Sequence, residues 1–171
     1  GLIYWGQDET RVPQRIYYLD ENATHVPRSV FASKSGVASR HVANLLGTNS
    51  SPFTYPKDHE VLARWLGIVG GRDARILDPF AGSGSTFEAV IALNDSDSGV
   101  RESTSITLNE IVGNHEQAGV PPDQVVDGTF HSVTAPRCVS ALTGCRPDGT
   151  RWGPRRPGYL EVFLKAPMSH K

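Results

Sequence analysis

A glycine-rich stretch near the middle of the 171-residue chain carries the residue types best suited to binding a ligand. It reads DPFAGSGST, residues 78–86, and it lies between the apolar runs ARIL and FEAVIAL. Glycine lets a backbone approach a bound molecule without a side chain in the way, and the Asp78 carboxylate can face a cationic group. The stretch therefore predicts a ligand held at the junction of two regular elements.

Three familiar glycine-loop motifs fit this stretch poorly. A P-loop requires a lysine after its last glycine, and none is present, which argues against a nucleotide triphosphatase. A dinucleotide-binding loop requires a third glycine where Phe87 stands, which weakens NAD or FAD binding but leaves it as an alternative. A serine nucleophile elbow would read G-x-S-x-G, and GSGS does not match it.

S-adenosylmethionine suits the residue types better, because it has no phosphates and is cationic at its sulfur and its amine. Asp78 can face the amino group, and Gly82 and Gly84 leave room for the backbone to approach. Glu110, at the predicted end of the following strand, can accept hydrogen bonds from both ribose hydroxyls. Asp78 and Glu110 lie 32 residues apart, which exceeds the typical spacing of about 20, and a polar insert at 94–103 accounts for the excess.

A helix, a strand and a second helix are predicted around the loop. Apolar residues recur at helical spacing between Asp58, a plausible N-cap, and the pair Gly70-Gly71. ARILDPF is short and continuously apolar, which is typical of a buried central strand. The run from Phe87 to Asn94 predicts a helix with Ser85 or Thr86 as its N-cap, and SITLNEI predicts the next strand over 105–111. The order indicates an α/β unit.

Charge and composition suggest how the rest of the chain is organised. Residues 51–130 carry 5 Lys/Arg against 12 Asp/Glu, whereas residues 131–171 carry 7 against 2. We expect a leading segment over 1–50, an α/β core over 51–130 and a basic, turn-rich tail over 131–171. The tail should contain a short helix in SVTAPRCVSAL and a terminal strand in YLEVFL, and its arginines can bind DNA phosphate or simply be exposed.

The sequence outside the loop predicts neither a metal site nor a membrane segment. Cys138 and Cys145 lack the spacing of zinc ligands. No run approaches the roughly 20 apolar residues needed to span a bilayer, so we expect a cytoplasmic protein without a membrane partner. His59 is expected to be exposed to solvent at the start of a helix. Trp5 and the pair Tyr17-Tyr18 are expected in a core, although aromatic residues can also stack on bases.

DPFAGSGST closely resembles the cofactor-binding motif of amino-group DNA methyltransferases, D-P-F-x-G-S-G-T-T. FTYPKDHEVLARWL is similar to the segment before that motif, F-x-x-P-K-P-x-x-L-[LI], except that Asp58 replaces a proline. IYWGQDETRVPQRIYYLDE, VPRSVF, LLGTN and VTAPRCVSALTGCRPDGT are similar to parts of the modification subunits of type III restriction systems. The resemblance extends to about Thr150.

The resemblance implies a partial Rossmann-like fold and methyl transfer from S-adenosylmethionine to the exocyclic amine of a flipped adenine in DNA, without a metal. Cytosine stays an alternative, because cytosine-amine enzymes share this loop. The positions that match the motifs, or that the residue types select, form the expected cofactor site: Tyr55, Lys57, Asp78, Phe80, Ala81, Gly82, Ser83, Gly84 and Glu110.

The D-P-P-Y motif that holds the target amine in this family is absent from the sequence, so no catalytic residue is assigned. In the family order it would precede residue 1, and the first residue is Gly rather than Met. We therefore expect a C-terminal portion that binds cofactor and catalyses nothing by itself. Its expected partners are DNA and one of three proteins: a missing N-terminal catalytic half, a restriction subunit or a homodimer mate. Half a sheet should also leave an open strand edge exposed. The alternatives are a non-catalytic remnant or accessory module and a dinucleotide-binding oxidoreductase domain.

Overall fold

Two units make up the chain, Gly1–Val30 and Phe31–Lys171. The computed structural model describes residues 2–8, 10, 12–16, 26–31, 33–110 and 128–163. The domain boundaries expected at residues 50 and 130 stay predictions.

The first unit contains two short antiparallel strands, β1 (Leu2–Tyr4) and β2 (Gln14–Ile16), with Leu2 opposite Ile16. Two strands of three residues cannot bury a large side chain between them. Trp5 is 67% exposed, so the expectation that it lies in a core is wrong. Tyr17 and Tyr18 lie outside the described residues.

The second unit mixes helices with a parallel pair of strands, consistent with an α/β protein. Its elements, in chain order, are α1 (Val37–Leu46), α2 (His59–Val69), β3 (Arg75–Asp78), α3 (Ser85–Asp97), β4 (Glu102–Ser105), a π-helical turn (Phe130–Thr134) and α4 (Ala135–Thr143).

The predicted helices on either side of the glycine loop are confirmed. The Asp58 carboxylate accepts a hydrogen bond from the Glu60 amide at 3.0 Å, so Asp58 is the N-cap of α2. The N-cap of α3 is Gly84, in the left-handed conformation, and not Ser85 or Thr86 as predicted. The helix therefore starts at Ser85, one or two residues earlier than predicted. The helix also continues to Asp97, through residues predicted to form a polar connection.

The strand predicted over 105–111 lies earlier in the chain, at Glu102–Ser105, and pairs parallel with β3 from Arg75↔Glu102 to Asp78↔Ser105. Asn94 explains the shift. Its side chain donates to the Arg101 carbonyl at 2.9 Å and accepts from the Arg101 amide at 3.1 Å, so the chain turns back directly after α3. The strand therefore begins at once, without a long polar connection.

Strand β3 is less buried than its apolar sequence predicts. Leu77 is 65% exposed, and within the described residues β3 pairs only with β4. Phe80, Ile106 and Leu108 are also exposed. The predicted terminal strand in YLEVFL is wrong over residues 159–163, which have no regular structure.

Helices supply most of the core. One cluster joins α1, the π-helical turn and α4, with Phe53 and Trp152 packed against it: Val42, Leu45, Leu46, Val133 and Ala141. A second cluster joins α3 to α4 through Phe87, Ile91 and Cys138. Residues after 130 thus contribute core side chains to the same unit as the glycine loop. None of the helices in the described ranges is long and apolar enough to cross a membrane.

Candidate functional site

The glycine loop, residues 79–84, begins where the parallel strand β3 ends. The Asp78 carboxylate accepts hydrogen bonds from the Phe80 amide through Oδ1 (3.1 Å) and from the Thr86 hydroxyl through Oδ2 (2.6 Å). The Ala81 amide donates to the Ile106 carbonyl at 3.0 Å. Asp78 therefore ties the strand end to the first turn of α3, and the loop is fixed to the chain that follows β4.

Both glycines of the loop have left-handed backbones, with φ of +48° at Gly82 and +79° at Gly84, which other residues adopt only with strain. A Cβ added at Gly82 would lie 3.2 Å from Cζ of Phe53, and one at Gly84 would lie 3.0 Å from Sγ of Cys138. The glycines thus let the loop pack closely against its own chain. The approach of a cofactor to them stays a prediction.

The segment before α2 lies against the glycine loop although the two are far apart in sequence. The Ser85 hydroxyl donates to the Lys57 carbonyl at 3.0 Å, across 28 residues, and Phe53 lies beside Gly82. Tyr55 is 79% exposed and Phe80 is 91% exposed. The fold brings the two resembling motifs together and leaves an aromatic side chain of each available to a ligand.

The remaining predicted site residues differ in accessibility. Ala81, Ser83 and Gly84 are buried, whereas Lys57 and Glu110 are exposed. Glu110 lies five residues beyond the end of β4 at Ser105, not at the strand end as expected, because the strand forms earlier. Its carbonyl accepts hydrogen bonds from the amide and the hydroxyl of Thr129, each at 2.7 Å. The main chain at Glu110 is therefore held to the start of the π-helical turn, while its side chain faces solvent.

A buried ion pair lies beneath the glycine loop. Arg137 of α4 and Glu88 of α3 are both fully buried, and Arg137 Nε donates to Glu88 Oε2 at 2.8 Å. Arg137 Nη1 donates to the hydroxyls of Ser83 and Ser85, each at 2.8 Å, and to the Ser83 carbonyl at 3.3 Å. One guanidinium thus holds the loop, the first turn of α3 and the Glu88 carboxylate together.

Two histidines complete this network. His41 Nε2 lies 2.5 Å from Glu88 Oε1, and His59 Nε2 lies 3.8 Å from the same oxygen. The two imidazoles are stacked, with centroids 4.3 Å apart and planes at 25°. The His59 side chain is only 12% exposed, so the expectation that it is exposed to solvent at the start of a helix is wrong.

The network changes the ionisation of its members. Burial alone would raise the pKa of Glu88, but the hydrogen bond with His41 and the charge of Arg137 outweigh it and lower the pKa to about 2. Burial lowers the pKa of His59, although the charge of Glu88 opposes this. Glu88 is therefore a carboxylate and His59 a neutral imidazole at neutral pH.

Sequence reasoning did not find His41, Glu88 and Arg137, which lie far apart in the chain. The pairs His41–Glu88 and Arg137–Glu88 are separated by 47 and 49 residues. The only local signal was a charged residue directly beside the apolar positions of a predicted helix, as at Glu88, which follows Phe87. Such a residue gives no indication of its partner.

The basic tail is partly engaged in the fold. Arg146 Nε donates to the Asn44 carbonyl at 2.8 Å, and Arg156 Nε lies 3.8 Å from Asp95 Oδ2. Arg151 and Arg155 are exposed. Two of the four arginines over 146–156, which could bind DNA phosphate or simply be exposed, thus contact α1 and α3.

Comparison with known proteins gives two relatives. The chain is 32% identical over 119 residues to the type III restriction-modification enzyme StyLTI Mod subunit of Salmonella typhimurium, a match covering 67% of this chain and 18% of the relative. It is 33% identical over 113 residues to the type III restriction-modification enzyme EcoPI Mod subunit of Escherichia phage P1, covering 66% and 16%. No protein-family profile matches the chain. The similarity supports a relationship to type III Mod subunits, and the chain spans less than a fifth of the length of these relatives.

Proposed function

We propose that this chain is the cofactor-binding portion of a type III modification methyltransferase and binds S-adenosylmethionine at the glycine loop. One observation carries the proposal: the segment over 53–57 packs on a left-handed glycine loop that starts at the carboxyl end of a parallel strand. Ligands of open α/β sheets bind outside the carboxyl ends of the strands. The similarity to the two Mod subunits supports the same assignment.

The residues at the loop fit the chemistry of this cofactor. Each Asp78 oxygen accepts one hydrogen bond from the chain, so each can accept another from the amino group of the ligand. Exposed Phe80 and Tyr55 offer aromatic faces to the adenine, and exposed Glu110 offers a carboxylate to the ribose hydroxyls. Lys57 can neutralise the ligand carboxylate. Ala81, Ser83 and Gly84 are buried and set the shape of the loop.

The bound cofactor supplies a methyl group on a sulfonium, and the role of this chain is to orient that group and to shield it from water. The proposed acceptor is the exocyclic amine of adenine in DNA, with cytosine as the alternative. A D-P-P-Y motif to hold that amine is absent from the sequence, so we propose no catalytic residue and expect no turnover from the chain alone.

We propose that the strands β3 and β4 belong to a larger Rossmann-like sheet. Leu77, Ile106 and Leu108 are exposed on or directly after these strands. An uncovered strand edge with apolar side chains is normally paired or covered. A catalytic half, a second copy of the chain or a restriction subunit can supply the cover.

The main alternative is a non-catalytic module that binds DNA or a partner chain. The exposed Arg151 and Arg155 favour it, because arginine is well suited to phosphate contacts. A dinucleotide-binding oxidoreductase is less well supported. Phe87 stands in the place of the third glycine, which a dinucleotide fold uses for close packing of helix on strand, and it is buried against Cys138 of α4.

Calorimetric titration of the purified chain with S-adenosylmethionine and with NAD tests the proposal. We expect S-adenosylmethionine to bind and NAD not to bind. Phe80→Ala should weaken binding without loss of stability, because Phe80 is almost fully exposed. Val100→Ala is a matched control at another exposed apolar residue. Equal affinity in the Phe80 and Val100 variants would reject the proposed site, and tighter binding of NAD would favour the oxidoreductase.

A further inference from the structure

Three side chains of metal-ligating type meet beneath the glycine loop, each from a different helix. They are His41 of α1, His59 at the start of α2 and Glu88 of α3. Their ligand atoms all lie within 4.8 Å of one another. This convergence plays no part in the proposed binding of S-adenosylmethionine.

We propose that His41, His59 and Glu88 form a binding site for a divalent transition metal of the zinc type, with two imidazoles, one carboxylate and an open fourth position. Neutral imidazole nitrogens and carboxylate oxygens are regular zinc ligands. Three protein ligands with a fourth position open to water is a known arrangement for zinc.

The distances suit a metal after a small rearrangement. Zinc–ligand bonds of about 2.1 Å in tetrahedral geometry place the ligand atoms about 3.4 Å apart. The His41–Glu88 contact of 2.5 Å would have to open and the His59–Glu88 distance of 3.8 Å to close, each by less than about 1 Å. The two imidazole planes, which are now at 25°, would also have to tilt apart by rotation of the side chains, because each nitrogen lone pair lies in its ring plane and both must point at one metal. Each imidazole would bind the metal through an unprotonated Nε2 with its remaining proton on Nδ1, so a neutral ring only changes tautomer and a doubly protonated ring releases one proton to bulk water.

Hydrogen bonding alone does not explain the second histidine. His59 Nε2 lies 3.8 Å from Glu88 Oε1, beyond hydrogen-bond distance, yet it faces the same carboxylate oxygen as His41 Nε2. Its ring is mostly buried and stacked on a second imidazole. A metal between the two nitrogens and the oxygen gives this arrangement a direct use.

The surroundings supply the second set of contacts that metal ligands require. Arg137 Nε holds Glu88 Oε2, which leaves Oε1 directed toward the histidines. The His41 side chain is 22% exposed, so solvent can reach the site from that side for the open position. The charge of Arg137 opposes a cation, and we therefore expect weaker binding than in a closed structural zinc site.

Metal binding by the untagged, chelator-treated chain tests this inference without cofactor or activity. Co²⁺ should give the visible absorption of a tetrahedral site, and Zn²⁺ should displace it. His59→Phe keeps the ring stacking but removes a ligand, and His41→Ala removes another. We expect each to weaken Co²⁺ binding by more than the roughly 10–100-fold that loss of an outer-shell contact costs.

His131→Phe is the control, because His131 is an exposed histidine outside the cluster. It should bind Co²⁺ like the parent chain, and circular dichroism should show that all variants are folded. Absence of the Co²⁺ band from the folded parent chain would overturn the proposal. Unchanged binding in folded His41 and His59 variants would also overturn it, since the metal would then lie elsewhere. Neither result would affect the proposal for S-adenosylmethionine.

Discussion

Replacement of Arg137 by methionine tests whether the buried ion pair holds the glycine loop in place. Arg137 and Glu88 are both fully buried, and the variant would leave the Glu88 carboxylate with only His41 within hydrogen-bond distance in the described structure. Removal of one partner of a buried pair costs about 3–5 kcal/mol. Arg137 Nη2 has no hydrogen-bond partner among the described residues, so we expect the lower end of this range.

Thermal unfolding followed by circular dichroism measures the loss. A cost of about 3 kcal/mol in a domain of this size lowers Tm by roughly 6–12 °C. The double variant Arg137→Met with Glu88→Gln should recover part of the loss, because no charge is then buried without a partner. A decrease below about 1 kcal/mol in the single variant, or a double variant less stable than the single one, would refute this account of the loop.

Three further predictions concern the loop and its surroundings. Gly84→Val should destabilise the chain by about 2 kcal/mol or more, because φ is +79° and a Cβ would meet Cys138, and urea unfolding measures this. Asp58→Ala should cost about 1 kcal/mol by removing the N-cap of α2, also measured in urea, and an unchanged midpoint would contradict it. Burial raises the pKa of the Cys138 thiol to about 12, so its alkylation at neutral pH should be slow until the protein unfolds and should accelerate as the pH rises toward that value. Mass spectrometry measures the labelling. Rapid labelling of Cys138 in the native chain would contradict the packing.

The parts of the fold that the sequence predicted well depend on local signals. Asp58 and Gly70 mark the ends of α2, and the change from an apolar run to glycines marks the end of β3. Caps and glycine turns act within a few residues, so a single sequence is enough to locate them. No local signal indicated that the segment over 53–57 contacts the loop, and family resemblance only placed Tyr55 and Lys57 in the expected cofactor site.

The parts that could not be predicted depend on distant residues. Asn94 bonds both backbone groups of Arg101 and moves β4 to an earlier position, and this cannot be read from the polar composition of residues 94–103. The pairing of Glu88 with Arg137 and His41 joins residues almost fifty positions apart. Only the packing of α1 and α4 on α3 brings these groups together.

Amide chemical shifts recorded by NMR during addition of S-adenosylmethionine test the central proposal most directly, because they locate the ligand on the chain. We expect the largest shifts at the amides of residues 78–84 and 55–57. Saturable shifts confined to other residues, or none at saturating cofactor, would contradict binding at the glycine loop.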